Sequence, residues 1–85
     1  MTRHELAVVV DADCPQCGEA RRLAAVARRC YPELTVRLVD LSVTPEACPP
    51  EAFAVPTYLL DGRVLSLGNP YEEKFLERLA EVLAA

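Results

Sequence analysis

The sequence predicts an α/β fold built on a four-stranded mixed sheet with helices packed on its faces. Three observations lead there. Short apolar, β-branched runs alternate with stretches of helical periodicity, the pattern of a layered α/β domain. A strand–helix–strand order opens the chain, and it implies a parallel pair joined by a right-handed crossover. An Asp61-Gly62 pair between two apolar runs marks a hairpin, which adds antiparallel strands to the same sheet. At 85 residues the chain holds a single domain, 1–85, without linker, repeat or low-complexity segment.

Taken in order, Leu6-Ala7-Val8-Val9-Val10 is continuous and β-branched, so it reads as a strand buried on both faces. Asp11 and Asp13 end it. Pro15 suits the first turn of a helix, where a missing N–H costs nothing. From Gln16 to about Tyr31 the periodicity is helical. Ala20, Leu23, Ala24, Ala27 and Tyr31 share one face, with Glu19, Arg22 and Arg29 largely opposite. Pro32 stops this helix. Leu34 to Leu41 forms the second strand, in which Leu34, Val36 and Leu38 alternate with Thr35 and Arg37. Thr44-Pro45-Glu46 starts a helical turn that Pro49-Pro50 keeps short. Val55 to Leu60 is a strand with a proline near its beginning, and Arg63 to Leu67 returns as the fourth. Asn69 as N-cap, Pro70 at N1 and Glu72 at N3 are expected to open a last helix. Phe75, Leu76, Leu79, Val82 and Leu83 supply its apolar face. The element string is therefore β-α-β-short α-β-β-α.

Composition excludes several roles. A net charge of −4 with nine basic residues disfavours an electrostatic grip on nucleic acid. The longest apolar run, Leu6–Val10, is far too short to span a membrane, for which roughly 20 residues are needed. Arg3 and His4 precede too short an apolar stretch for an export signal, so a cytoplasmic setting with reduced thiols is expected. His4 itself is expected to be an exposed terminal residue. Arg21, Arg22, Arg28 and Arg29 give the first helix a basic side, expected to be a solvated face, with docking of an acidic partner as the sharper reading.

Four cysteines are the compositional oddity. Cys14-Pro15-Gln16-Cys17 sits where a strand hands over to a helix. Unpaired N–H groups at a helix start favour negative charge, and so favour the thiolate that attacks disulfides. A spacing of nearly one turn brings Cys17 within bonding reach of Cys14. Cys14 is then the exposed attacker, and Cys17 the resolving thiol that releases a mixed disulfide. The alternative is half of a zinc site, which requires four ligands; Cys30, Cys48 and His4 are the further candidates. Cys30, near the Ala27/Tyr31 edge, is expected to be a buried core thiol. Cys48, in the proline-rich connection, is expected to be more exposed. Tyr58 is expected to pack in the sheet.

Cys14-Pro15-Gln16-Cys17, followed by Val55-Pro56-Thr57, a hairpin and a final helix, resembles the thioredoxin/glutaredoxin family from Leu6 to Ala84. The resemblance implies a thioredoxin-like fold with Cys14 and Cys17 catalytic. Pro15 and Gln16 then complete the active-site turn. Pro56 is implied to be a cis proline facing the disulfide, with Val55 presenting its backbone to an extended substrate and Thr57 completing that segment. It further implies a monomeric thiol–disulfide oxidoreductase without cofactor or resident metal. Its substrate is a protein or peptide disulfide, and an upstream reductase recycles it. Departures accompany the likeness. No Trp precedes Cys14, and Val8 stands where thioredoxins bury an acid. Gln16 replaces the glutaredoxin Tyr, and Leu67-Gly68-Asn69-Pro70 replaces the segment that grips glutathione. Asp11 and Asp13 lie where a basic residue would help bind glutathione, and their charges oppose ionisation of Cys14. A second resemblance, to the small glutaredoxin-like redoxins that serve ribonucleotide reductase, rests on Gln16; their Ser-Gly-Phe-Arg-Pro segment is absent.

Overall fold

The computed structural model describes residues 3–52 and 54–84. Among these described residues four strands form one sheet: β1 (Glu5–Val10), β2 (Thr35–Asp40), β3 (Thr57–Leu60) and β4 (Arg63–Leu67). Two α-helices accompany them, α1 (Cys17–Cys30) and α2 (Glu72–Ala84), and Pro45–Ala47 makes a single 3-10 turn. The strand order is β2-β1-β3-β4. β1 and β2 run parallel from Glu5↔Thr35 to Val10↔Asp40, as the strand–helix–strand order requires. β3 is antiparallel to both β1 and β4, so the sheet is mixed.

β1 lies at the centre, and every side chain from Leu6 to Val10 is buried. Alternation along a strand sends successive side chains to opposite faces. Leu6, Val8 and Val10 accordingly meet Cys17, Ala20, Leu23, Ala24 and Ala27 of α1 and Phe75 and Leu79 of α2 in one core cluster. Ala7 and Val9 join Val39 and Leu59 in a smaller cluster on the other face. Among the described residues no α-helix covers that second face; Leu41, Ala52 and Val55 pack against it from the connecting segment. Both prolines of Pro49-Pro50 deny the segment further helical hydrogen bonds, which accounts for a turn in place of a helix.

The hairpin forms as its sequence demands. Asp61 and Gly62 have φ of 52° and 82°, the positive values of a two-residue turn matched to strand twist. Asp61 also does more than turn the chain. Its carboxylate accepts the Glu5 N–H at 2.8 Å and the His4 ring nitrogen at 2.6 Å. These bonds, the Glu5 N–H foremost, hold the Asp61 carboxyl below the usual carboxylate range. His4 is therefore tethered to the hairpin, in contrast to the exposed terminal residue expected. A register shift between Tyr58 and Leu59 places a bulge in the β3–β4 pair.

Several element ends differ from expectation: β2 spans Thr35–Asp40 rather than Leu34 to Leu41, and β3 begins at Thr57 rather than Val55. α1 begins at Cys17 rather than Gln16, which serves as a helix-start residue without a side-chain cap. Cys30 is exposed, not buried. It ends the helix, and Tyr31 takes the inward position instead, donating its hydroxyl to the Leu76 carbonyl at 3.1 Å. α2 begins at Glu72, and the Tyr71 carbonyl accepts the Phe75 N–H at 2.9 Å. Asn69 is thus no N-cap, and Pro70 precedes the helix rather than occupying N1.

Candidate active site

The Cys14-Pro15-Gln16-Cys17 motif forms a turn between β1 and α1, with the Cys17 N–H donating to the Cys14 carbonyl at 3.1 Å. The turn brings the two Cα atoms to 5.3 Å, and a disulfide joins Cys14 to Cys17. Burial separates the two sulfurs' surroundings. Cys17 is 2% exposed within the main core cluster, while Cys14 is only partly buried at its rim. Pro15 and Gln16 are exposed. Asp11 caps its own loop by accepting the Ala12 N–H at 2.7 Å, and Asp13 is exposed directly before Cys14. Val8 is fully buried in the cluster that contains Cys17, so an apolar side chain fills the position discussed above for a buried acid.

Sheet register carries the second half of the site to the same end. β1 leaves the sheet at Val10 and β3 enters it at Thr57, opposite Val9. The Val55–Pro56 peptide, just before Thr57, is cis. Pro56 is buried, and Val55 is half-buried against both core clusters. Thr57 is fully buried and donates its hydroxyl to the Ala54 carbonyl. Every residue expected at the site thus lies at one end of the sheet, on two separate chain segments.

A third segment ties the two together. The Gly68 N–H donates to the Pro56 carbonyl at 2.7 Å. Next to it, the Asn69 amide donates to the Gln16 carbonyl at 2.8 Å. The Asn69 side-chain oxygen accepts the Tyr58 hydroxyl at 2.6 Å. Gly68, at φ 87°, has the backbone conformation that glycine adopts at least cost. Tyr58 packs in the sheet as expected, edge-on to Phe75 with ring centroids 5.5 Å apart. Its burial pushes the phenol well above its ordinary range, so it remains a hydrogen-bond donor. Sequence reading missed Asn69 because the residue doubled as a plausible helix cap. A signal existed nonetheless: a tyrosine within a buried strand needs a partner for its hydroxyl.

The basic side of α1 is largely engaged with the protein itself. Arg22 pairs with Glu19 at 2.7 Å and with Glu72 of α2 at 2.8 Å. The guanidinium holds the Glu19 carboxyl below its usual range. Arg21 reaches Asp40 at 3.0 Å, and Arg28 donates to the Val36 carbonyl at 3.1 Å. Cys48 is exposed, as expected, and both Cys30 and Cys48 are free thiols. Among the described residues, no three His, Cys, Asp or Glu side chains gather as a metal-binding group. None of the described helices is long and apolar enough to cross a membrane.

A four-stranded mixed sheet with a Cys-x-x-Cys disulfide at the start of its first helix and a cis proline at the same sheet end is the arrangement of a thioredoxin-like fold. No family model matches the chain, and no curated protein does. Solved structures carry the likeness instead. Fasciola hepatica thioredoxin superposes with a TM-score of 0.70 at 24% identity, covering 93% of this chain and 80% of its own. Oxidised thioredoxin from Plasmodium falciparum gives 0.69 at 19% identity, over 99% of this chain and 84% of its own. A chain from a structure addressing thiol resolution in yeast mitochondrial 1-Cys peroxiredoxin via glutathione/thioredoxin systems gives 0.73 at 15%, over 95% and 80%. The fold is therefore that of thioredoxin across nearly the whole chain.

Proposed function

We propose that the chain is a thiol–disulfide oxidoreductase in which Cys14 is the nucleophile and Cys17 the resolving thiol. The observation that carries this reading is the Cys14–Cys17 disulfide at the helix start, with one sulfur at the rim and the other in the core. In the reduced protein the Cys14 thiolate attacks one sulfur of a substrate disulfide. A mixed disulfide forms, and the first substrate thiolate leaves and takes up a proton. Cys17, deprotonated, then attacks the Cys14 sulfur, the Cys14–Cys17 bond forms, and the second substrate thiol departs. Two electrons pass from the pair to the substrate, and a dithiol reductase must return them. The unpaired N–H groups of the first helical turn favour the attacking thiolate.

Proteins or peptides are the substrates this reading favours. An extended strand offers its backbone alongside Val55 and Pro56, in keeping with the half-buried Val55 beside the motif's sheet end. The replaced glutathione-gripping segment and the acids Asp11 and Asp13 argue against glutathione as the preferred partner. A monomer working with an upstream reductase in a reducing compartment, such as the cytoplasm, completes the proposal. The test is insulin-disulfide reduction with dithiothreitol as electron source. Wild-type protein should accelerate it and Cys14→Ser should not; equal rates for both reject the role of Cys14.

A further inference from the structure

Building on that reading, we propose that Asn69 is a positioning residue for the Cys14–Cys17 pair, through its amide bond to the Gln16 carbonyl. The bond joins the end of the β3–β4 hairpin, where Thr57 already pairs with Leu67, to the cysteine turn. Gly68 holds the Pro56 carbonyl at 2.7 Å, and Asn69 holds the carbonyl of the residue between the two cysteines' turn and the helix at 2.8 Å. The second bond matters because the helical partner of that carbonyl is distant: the Ala20 N–H lies 3.4 Å from it, at the long limit for a hydrogen bond. The first turn of α1 thus relies on Asn69 for its closest contact at Gln16, where no side-chain cap is present.

The amide's orientation follows from its partners. A carbonyl only accepts, so the Asn69 NH2 group faces Gln16. The Asn69 oxygen is then left to accept from Tyr58, whose hydroxyl donates at 2.6 Å. Tyr58 is fully buried and clamped edge-on by Phe75, so it fixes the amide from the core side. Its raised phenol pKa keeps that donor in place through the pH range in which thiols ionise. Tyr58 and Asn69 form a relay of position from the sheet core to the cysteine turn. Loosening either lets the first turn of α1 wander, and its N–H groups then serve the Cys14 thiolate less well.

The test reads Cys14 itself, without a protein substrate. Reduced protein is alkylated with iodoacetamide across a pH series, and modification at Cys14 is followed by peptide mass mapping. In Asn69→Leu the Cys14 profile should move to higher pH, with alkylation at neutral pH slowed about fivefold, the worth of one ordinary hydrogen bond. Tyr58→Phe keeps the amide but frees its orientation, so it should shift the profile the same way and less. The double variant should match Asn69→Leu alone, since both changes break one chain. Should Asn69→Leu fail to fold, Tyr58→Phe decides alone: a shift supports the proposal and an unmoved profile overturns it. A lowered melting temperature with an unchanged Cys14 profile in both variants also overturns it. Absence of insulin reduction by the wild type would reject the proposed activity but leaves this readout intact.

Discussion

Two cysteines mark the two ends of α1, and their surroundings differ in every respect. Cys17 opens the helix, is buried in the main cluster and is bonded to Cys14. Cys30 closes it, is exposed and is free. Helix polarity separates them further, because N–H groups point outward at the first end and carbonyl acceptors at the second. The difference teaches that accessibility alone does not make a redox site here. A partner sulfur, donors at the helix start and a braced turn occur together only at the opening end, where Gln16 is held by Asn69.

Cys17→Ser breaks this comparison most severely. Reduced Cys17→Ser protein mixed with insulin in the absence of dithiothreitol should stop at a mixed disulfide on Cys14, visible as a mass increase that added dithiothreitol removes. Leu23→Ala comes next. Leu23 is fully buried midway along α1, so its truncation should cost about 2–5 kcal/mol in chemical denaturation. Both ends share that loss, and Cys14 should remain the cysteine through which turnover runs.

Asp61→Asn acts on the far end of the sheet and has a smaller effect. Because the folded protein holds the Asp61 carboxyl below its unfolded value, the associated stability is complete above about pH 4. It disappears as the pH falls through the lower folded value. The wild type should therefore lose stability on acidification more steeply than Asp61→Asn. The difference should stay under about 1 kcal/mol, since the side chain is 39% exposed and solvent screens it. Smallest of all, the double variant Cys30→Ser/Cys48→Ser should keep insulin turnover within about twofold, as exposed substitutions away from a site usually leave it unperturbed. A marked loss would show that one of the two free thiols takes part after all.

Much of this architecture was legible beforehand. The β-branched Leu6–Val10 run could be satisfied only by burial on both faces, and two clusters provide it. Asp61-Gly62 has positive φ at both residues, a requirement its residue types met in advance. The cysteine spacing equally anticipated a joined pair. Cys30 was misread because helical periodicity assigns a face but not where the helix ends, and Tyr31 reaches inward in its place. Asn69 was misread because a local cap motif and a long-range bridge use the same side chain; its partners lie 11 and 53 residues away.

The order of residues by itself determined the strands, the two helices, the tight hairpin and the pairing of two neighbouring sulfurs. Each depends on interactions within a turn or on a simple periodicity. Only the tertiary structure decided that Asn69 joins Gln16 at the cysteine-bearing end of the sheet, and that one helix carries a buried cysteine and an exposed one. Those outcomes come from strand register and from which buried hydroxyls and carbonyls find partners once distant segments pack, and a linear pattern contains neither.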